Sequence, residues 1–320
     1  MRISKASSEI IRFRDLQYEY TRERALSYVA EAVLIFLMKH KVAAVFAVLF
    51  FAGLLIELND SSECPNMPLQ YGKNTTSTAV TSESLTVVSL NMAKEARLDR
   101  ILEGIRRAVF FETADVWLLQ EARPSVSEMA DALGMHYIYA PADQFSDGSV
   151  SGLAILSRYP FERSNRTVLP RYNLRFNTRC RIALTAAIRH PAGEIRLVNV
   201  HLDTRITQRQ RLLQVGSVVE SESSSGQPVI IGGDFNTANV RWMWNVFPLP
   251  YVQSHTRAVR DMFVGKGFES PLDGAGTTFR LLGFPLHLDW IFPKHLKTVA
   301  SGTERIDFSD HRAVWVTLTE

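Results

Sequence analysis

A short β-branched run, Val229-Ile230-Ile231, stops at Gly232-Gly233 and is followed at once by Asp234-Phe235-Asn236. An apolar run of this kind reads as a strand buried within a sheet, here delivering polar groups to the sheet's edge. Side chains alternate along an extended chain, so Asp234 and Asn236 point the same way. A carboxylate and a carboxamide held side by side suit a phosphate and an attacking water.

Other segments share this design. Leu85–Leu90 is an apolar strand ending at Asn91, and Val116–Leu119 is a second, ending at Gln120-Glu121. Further strands are expected at Gly152–Leu156, Arg181–Arg189, Ile195–Leu202, Val229–Phe235, Leu286–Phe292 and Ala313–Leu318. Leu98, Ile101, Leu102, Ile105 and Val109 recur at helical spacing, and Ile206–Val219 reads as another helix. Several strands follow one another with no helix between them, which argues against a purely doubly wound parallel sheet. A mixed, sheet-on-sheet core with helices outside fits better. At 320 residues and 46% hydrophobic content, the chain is long enough to fill such a core.

The N-terminal part has a separate character. Residues 42–58 read VAAVFAVLFFAGLLIEL, with Glu57 as the one ionisable residue. As a helix this run spans about 26 Å against a hydrocarbon core of about 30 Å. The apolar stretch Ala32–Met38 can supply the difference if Lys39 and Lys41 snorkel to the headgroups. The expected organisation is therefore a basic segment 1–41, a transmembrane helix 42–58, a Ser/Thr/Asn-rich flexible linker 59–84 and a catalytic domain 85–320. Residues 1–41 hold eight Lys/Arg, whereas 59–84 hold only Lys73. The positive-inside rule then leaves the N-terminus in the cytoplasm and the catalytic domain outside it, in a periplasmic or extracellular space. A cleaved signal peptide is the rival reading, but its basic region would be unusually long.

Charge and cysteine content decide little. A net charge of +3 gives no reason to infer nucleic-acid binding. Cys64 and Cys180 fit no metal spacing. A disulfide between them is possible on sequence grounds but is disfavoured by the linker character around Cys64.

Function is carried by where the polar residues fall. Asn91, Glu121, His201 and the Asp234/Asn236 pair lie at or near the ends of buried strands, Asp289 lies within one, and Asp310-His311 opens the last. Such ends cluster at one rim of a β core. Phosphodiester hydrolysis needs a nucleophilic water, charge neutralisation at phosphorus and help for the leaving oxygen. Mg²⁺ takes carboxylate oxygens and keeps several waters, so one or two protein carboxylates suffice. A His held by a carboxylate can donate a proton to a developing negative oxygen.

These motifs together resemble the endonuclease/exonuclease/phosphatase superfamily, over about residues 85–320. The resemblance implies a four-layer α/β sandwich, with two mixed β-sheets face to face, flanked by helices, and the site at one end. It implies Mg²⁺, with Mn²⁺ as a substitute, held by Glu121 and Asp310 and ordered by Asn91. Asp234 would orient or deprotonate the attacking water, Asn236 and His201 would contact the phosphate, and His311 would pair with Asp289. Ala93 stands where abasic endonucleases of the superfamily carry an aspartate, which argues against that branch. Asp203 either reaches the site or anchors a loop. The loop YNLRFNTRCR, with Arg171, Arg175, Arg179 and Arg181, is either a solvated basic loop or a substrate contact, and Arg205 adds a further cation.

The expected activity is hydrolysis of a phosphodiester by a membrane-anchored, Mg²⁺-dependent phosphodiesterase, with a lipid or headgroup substrate preferred. The alternatives are an extracytoplasmic nuclease acting on DNA or RNA, and a non-catalytic binding module on the same scaffold. The intact set of acidic and histidine residues counts against the last.

Overall fold

The alternation of apolar strands and helices read from the sequence is realised as two mixed sheets with helices on their outer faces. The computed structural model describes residues 64, 66–72, 82–111, 113–172, 179–243, 247–250, 254–281 and 283–320. In chain order the elements are β1 (Gln70–Gly72), β2 (Leu85–Asn91), α1 (Leu98–Arg106), β3 (Ala114–Ala122), α2 (Val126–Leu133), β4 (His136–Gln144), β5 (Val150–Ser157) and β6 (Phe161–Val168). There follow β7 (Ile182–His190), β8 (Gly193–His201), α3 (Gln208–Ser223), β9 (Val229–Asp234), β10 (Val240–Met243), β11 (Phe247–Pro250) and α4 (His255–Gly265). The chain closes with β12 (Phe279–Leu281), β13 (Phe284–Leu286), β14 (Asp289–Lys294), β15 (Lys297–Arg305) and β16 (Arg312–Thr319).

A seven-stranded sheet runs β1-β4-β5-β3-β2-β16-β15, and a five-stranded sheet runs β14-β9-β8-β7-β6. β2 pairs with β3 in parallel, and β8 with β9, while the remaining neighbours in both sheets are antiparallel. β2 shows why its sequence is apolar throughout. Leu85 and Val87 join the core shared by the two sheets, whereas Val88 and Leu90 pack under the first two helices with Ile101, Ile105, Val126 and Met129. On the other side, Phe263 of α4 stacks on Phe292 of β14 at 3.9 Å, and Val215 and Val219 of α3 share that core.

Between the sheets sits a polar bridge. Gln120 Nε2 donates to Asn199 Oδ1 at 2.7 Å, and Asn199 Nδ2 donates to the Leu119 and Ala154 carbonyls. Both residues are fully buried, and each lies within two positions of a residue expected in the site, Glu121 or His201.

Three expectations need correction. The strand expected at Leu286–Phe292 is two elements, because β13 turns back on β12 before β14 begins. β3 continues past Glu121, where a bulge between Leu119 and Ala122 interrupts its pairing with β5. The stretch 59–84 is more than a linker. β1 pairs with edge strand β4, Arg166 Nη1 donates to the Met67 carbonyl, and Cys64 forms a disulfide with Cys180. These contacts overcome the local polarity of the segment that disfavoured the bond.

Met1–Leu58 and Asn59–Glu320 form separate units. The proposed transmembrane run 42–58 and the basic segment 1–41 lie outside the described residues. Among the described residues, no helix is long and apolar enough to cross a membrane.

The disulfide joins residues 116 apart, so opening it frees a long loop in the unfolded chain. Reduction, or Cys64→Ser, is expected to lower the unfolding free energy by about 3–5 kcal/mol. Urea melts with and without reductant measure this, and an unchanged midpoint would show that β1 pairing holds the segment alone.

Candidate active site

Strand register assembles the centre of the site. His201, the last residue of β8, is paired with Asp234, the last residue of β9. Asp234 is in turn paired with Asp289, the first residue of β14. Directly opposed residues project to the same face, so three chemically active side chains form one row across three neighbouring strands. The row depends on Gly233. Its φ is +145°, and a Cβ there would lie 1.9 Å from the Val200 carbonyl oxygen.

His311 completes the row from the other sheet, just ahead of β16. Its Nδ1 lies 2.9 and 3.1 Å from the two Asp289 carboxylate oxygens, and its Nε2 lies 3.8 Å from Asp234 Oδ2. The loop is fixed by Ser309, whose hydroxyl donates to the Asn91 carbonyl at 2.6 Å and accepts the His311 N–H. Asn91 Nδ2 donates to Asp234 Oδ2 at 3.1 Å, and Asn91 Oδ1 accepts the Ala93 N–H. Both ends of this amide are thus engaged, and its direct effect is to orient Asp234. Asn236 has a left-handed backbone, φ +50°, which Asn tolerates better than most residues. Its N–H donates to Asp234 Oδ1, and its Nδ2 donates to the Leu202 carbonyl.

The protonation states follow from burial and neighbouring charge. Burial disfavours the His311 imidazolium, but the Asp289 and Asp234 carboxylates outweigh it and raise its pKa to about 10. Burial, reinforced by the Asp289 charge, pushes Asp234 up to about 7, against the opposing pull of His311, the Asn236 N–H and Asn91. His201 moves the other way. Burial and the charges of Arg181, His311, Arg179 and Lys94 hold it well below the ordinary histidine value, so it is neutral near pH 7. Its Nε2 lies 3.5 Å from Asp234 Oδ2.

Beneath the row lies a buried brace. Arg181 Nε donates to Asp203 Oδ1 at 3.0 Å, and Gln214 Nε2 donates to Asp203 Oδ2 at 2.8 Å. Asp203 is therefore a loop anchor that also aims Arg181. Arg211, fully buried on α3, donates to the Asp203, Phe235 and Thr204 carbonyls and so ties the turns after β8 and β9 together. Nothing in the sequence singled out Arg211, because a helical arginine ordinarily faces solvent.

The remaining expected residues are placed as follows. Glu121 has φ +51° and is half-buried beside Asp143, Arg181 and His201 in a small cavity. Asp310 is exposed next to His311, and its charge adds to the rise in the His311 pKa. Arg179 lies 3.8 Å from Asp143. Arg205 is half-buried in the loop leading to α3. Arg175 lies outside the described residues. The structure adds one cluster that sequence reasoning missed: Lys94, Arg123 and Arg179 lie 4.8–5.3 Å from the centre of the Phe145 ring. These residues come from four separate segments, so no spacing in the chain announces them.

Two groupings have the chemistry to take a divalent cation. Asp234, Asp289 and His311 offer ligand atoms all within 4.8 Å of one another. Their polar atoms, however, already serve one another through the His311–Asp289 hydrogen bonds. Glu121 differs. Among the described residues, no hydrogen bond or ion pair within 4 Å engages its carboxylate, and the bulge with its left-handed backbone turns it out of the ladder. Unengaged carboxylate oxygen at a partly open rim fits a hard cation such as Mg²⁺.

A two-sheet sandwich carrying a His-Asp-Asp row at one end, completed by His311, defines a phosphoesterase-type fold with a possible metal site. The profile of the Endonuclease/Exonuclease/phosphatase family matches residues 88–311, and the chain belongs to that family. Among curated proteins, none matches the sequence. Similar solved structures include an endonuclease/exonuclease/phosphatase from Beutenbergia cavernae DSM 12333, with TM-score 0.60, 18% identity and coverage of 74% of this chain and 71% of that one. D. rerio TDP2 complexed with single-strand DNA product has TM-score 0.54 and 17% identity, covering 75% of this chain and 100% of that one. The human Nocturnin catalytic domain with bound sulfate anion has TM-score 0.54 and 15% identity, covering 78% and 97%. Family members are metal-dependent hydrolases of phosphate esters.

The charge states predict a pH dependence of stability. The His311 pKa is about 10 in the folded chain against about 6.5 unfolded. Its contribution is therefore complete below the unfolded value and is lost as pH rises through the folded one. Asp234, raised to about 7, acts with the same sign over a lower window. Metal-free unfolding free energy is expected to fall from pH 6.5 to 10, and His311→Asn is expected to flatten the alkaline part. Urea melts in EDTA across this range test it, and a rise in stability would overturn the assignment.

Proposed function

We propose that this chain is a membrane-anchored, divalent-metal-dependent phosphodiesterase that acts outside the cytoplasm. The observation that carries the catalytic reading is the His201–Asp234–Asp289 row with His311 bonded to Asp289. Asp234 is held by Asn91 and the Asn236 N–H, and its raised pKa suits a base that takes a proton from an attacking water near neutral pH. His311, kept protonated by Asp289, stabilises negative charge growing on the phosphoryl or leaving oxygen. Neutral His201 donates a hydrogen bond to the phosphate, and the Asn236 amide grips a second oxygen. Arg181, braced by Asp203, supplies fixed positive charge beside them, with Arg179 and Arg205 as further substrate contacts.

Glu121 and Asp310 are the residues that would hold Mg²⁺ or Mn²⁺, with Asn91 ordering that edge of the site. Such an ion, when bound, neutralises phosphoryl charge. A sulfate bound to the Nocturnin catalytic domain supports an oxyanion site on this scaffold.

The anchor reading rests on the apolar run 42–58 and the cluster of basic residues before it. The second reading, a nuclease, is favoured by the single-strand DNA product complexed with D. rerio TDP2 and by the cations around Phe145.

Asp234→Asn and His311→Ala are each expected to lower kcat/KM for bis(p-nitrophenyl) phosphate by about 10²–10⁴-fold, and EDTA should abolish turnover until Mg²⁺ is restored. Initial-rate assays on the full chain check this. Wild-type rates in either variant would remove the catalytic assignment.

A further inference from the structure

The segment from Cys64 to Gly72 stitches together the outer edges of the two sheets. β1 forms the edge of the seven-stranded sheet, on β4. Tyr71 of β1 shares a hydrogen bond of 3.0 Å with the Ser164 hydroxyl on β6, the edge of the five-stranded sheet. Arg166, also on β6, donates through Nη1 to the Met67 and Pro141 carbonyls and so bridges the segment and β4. Cys64 and Leu69 pack on the core that the sheets share. The Cys64–Cys180 bond is the covalent member of this strap.

Cys180 is placed where that bond bears on the site. It is buried and lines the same small cavity as Glu121, Asp143, Arg181 and His201. Its N–H donates to Asp143 Oδ1 at 3.1 Å, and Asp143 Oδ2 lies 3.8 Å from Arg179 Nη1. Cys180 stands between Arg179 and Arg181, and the Arg181 carbonyl accepts the Leu169 N–H. The short stretch that carries both arginines is thus held by Asp143, by Leu169 and, through sulfur, by the strap. Bonded sulfurs lie about 2 Å apart, whereas unbonded ones separate to van der Waals contact, roughly 3.5 Å or more. Opening the bond either displaces the buried wall around Cys180 or lets the strap move away from it. In both cases the stretch bearing the arginines loses its covalent hold.

We infer that the Cys64–Cys180 bond is a positioning crosslink for the phosphate-binding side of the site, and that reducing it leaves a folded enzyme that binds phosphate weakly. This inference rests on the phosphodiesterase reading above. The opening step is thiol–disulfide exchange: a dithiol supplies two electrons and two protons, Cys64 and Cys180 become thiols, and the dithiol leaves as its own disulfide. Oxidising compartments keep such bonds closed, so the site is complete in an oxidising space and slack in a reducing one. The crosslink acts through Arg179 and Arg181 on the bound phosphate. Asp234, Asp289 and His311 hold one another through contacts that include neither cysteine. Contacts made equally in ground and transition states, when lost, raise KM and leave kcat. Arg181 also has its own bond to Asp203, which limits the size of the effect.

The test uses the full chain with bis(p-nitrophenyl) phosphate, first oxidised, then reduced with dithiothreitol, then reoxidised with oxidised glutathione, alongside Cys64→Ser. A misplacement of about 1 Å can cost about 10²-fold, and with Arg181 still braced the expected rise in KM and in the inhibition constant of inorganic phosphate is about ten-fold. The same rise is expected on reduction and in Cys64→Ser, with kcat changed much less. Reoxidation should restore the wild-type values, and Cys64→Ser should not respond to dithiothreitol. Unfolding of part of the chain lowers the apparent kcat at constant KM, so both constants stay readable if reduction also destabilises. Arg166→Gln removes two bonds of the strap and keeps the crosslink; it is expected to leave KM and the inhibition constant unchanged. An unchanged KM in the reduced chain and in Cys64→Ser overturns the inference, as does an equal rise in Arg166→Gln. Calorimetric titration of inorganic phosphate makes the oxidised-to-reduced comparison without turnover. Absence of hydrolysis by the oxidised chain therefore removes the phosphodiesterase reading alone, while equal phosphate affinity in the two redox states removes the crosslink.

Discussion

The hydrogen bond from Gln120 to Asn199 holds the two halves of the site in register. A sheet-on-sheet core is apolar and non-directional, and hydrophobic burial alone permits small slides of one sheet over the other. Gln120 and Asn199 replace that freedom with a directional contact of 2.7 Å in an environment without competing water. Gln120 Nε2 also meets Ser89 on β2, and Asn199 Nδ2 reaches carbonyls of β3 and β5, so three strands of the larger sheet are tied to one of the smaller. The arrangement has a cost, because Gln120 Oε1 has no donor partner. A buried unsatisfied acceptor costs about 1–3 kcal/mol. Its retention beside Glu121 fits a demand for position over maximal stability. One residue beyond Gln120 and two beyond Asn199, Glu121 and the His201 row inherit the alignment.

Electrostatics at the end of the sandwich is organised around opposing pressures. Asp234 and Asp289 are adjacent in register and both buried, which raises the Asp234 pKa. A protonated His311 between them is the compensating charge, and Arg211 reaches the same region from below. His201 cannot share that role, since burial, reinforced by Arg181, His311, Arg179 and Lys94, suppresses its charge. Two histidines within reach of one carboxylate therefore hold different protonation states. A hydrolytic site needs this division, because one group must carry a proton to spare while its neighbour stays neutral.

Much of this was legible in the chain because buried strands with polar ends write both facts into one short segment. Val229–Asp234 and Leu85–Asn91 show it well: the apolar run gives the strand, and the polar residue that stops it marks the rim. β6 and β15 were missed for the converse reason. β6 and β15 are edge strands with mostly exposed residues, so their pattern is polar and weak. Leu286, the last residue of β13, was merged with β14 because an apolar residue just ahead of a core strand reads as part of it. The Cys64–Cys180 bond was discounted on local composition, whereas the pairing of β1 with β4 is a long-range property no local window contains. Arg211 and the cations around Phe145 belong to the same class. Their partners are backbone carbonyls and rings brought near by topology.

The division between strands and rim also bears on how substrate choice is built. His201, Asp234 and Asp289 occupy strand termini whose spacing is set by ladder hydrogen bonds, and such positions change little while the sheet survives. Relatives at 15–18% identity retain this fold, yet one of them is complexed with single-strand DNA product and another carries a sulfate. Fold alone therefore leaves substrate open. The elements free to vary are those without ladder partners in the main sheets: the β12–β13 hairpin, the loop before β7 and the turn bearing Lys94. In this chain the first presents an apolar face and the other two present cations. The rim is therefore apolar beside His311 and cationic beside His201, so the two ends of the row offer a substrate different chemistry.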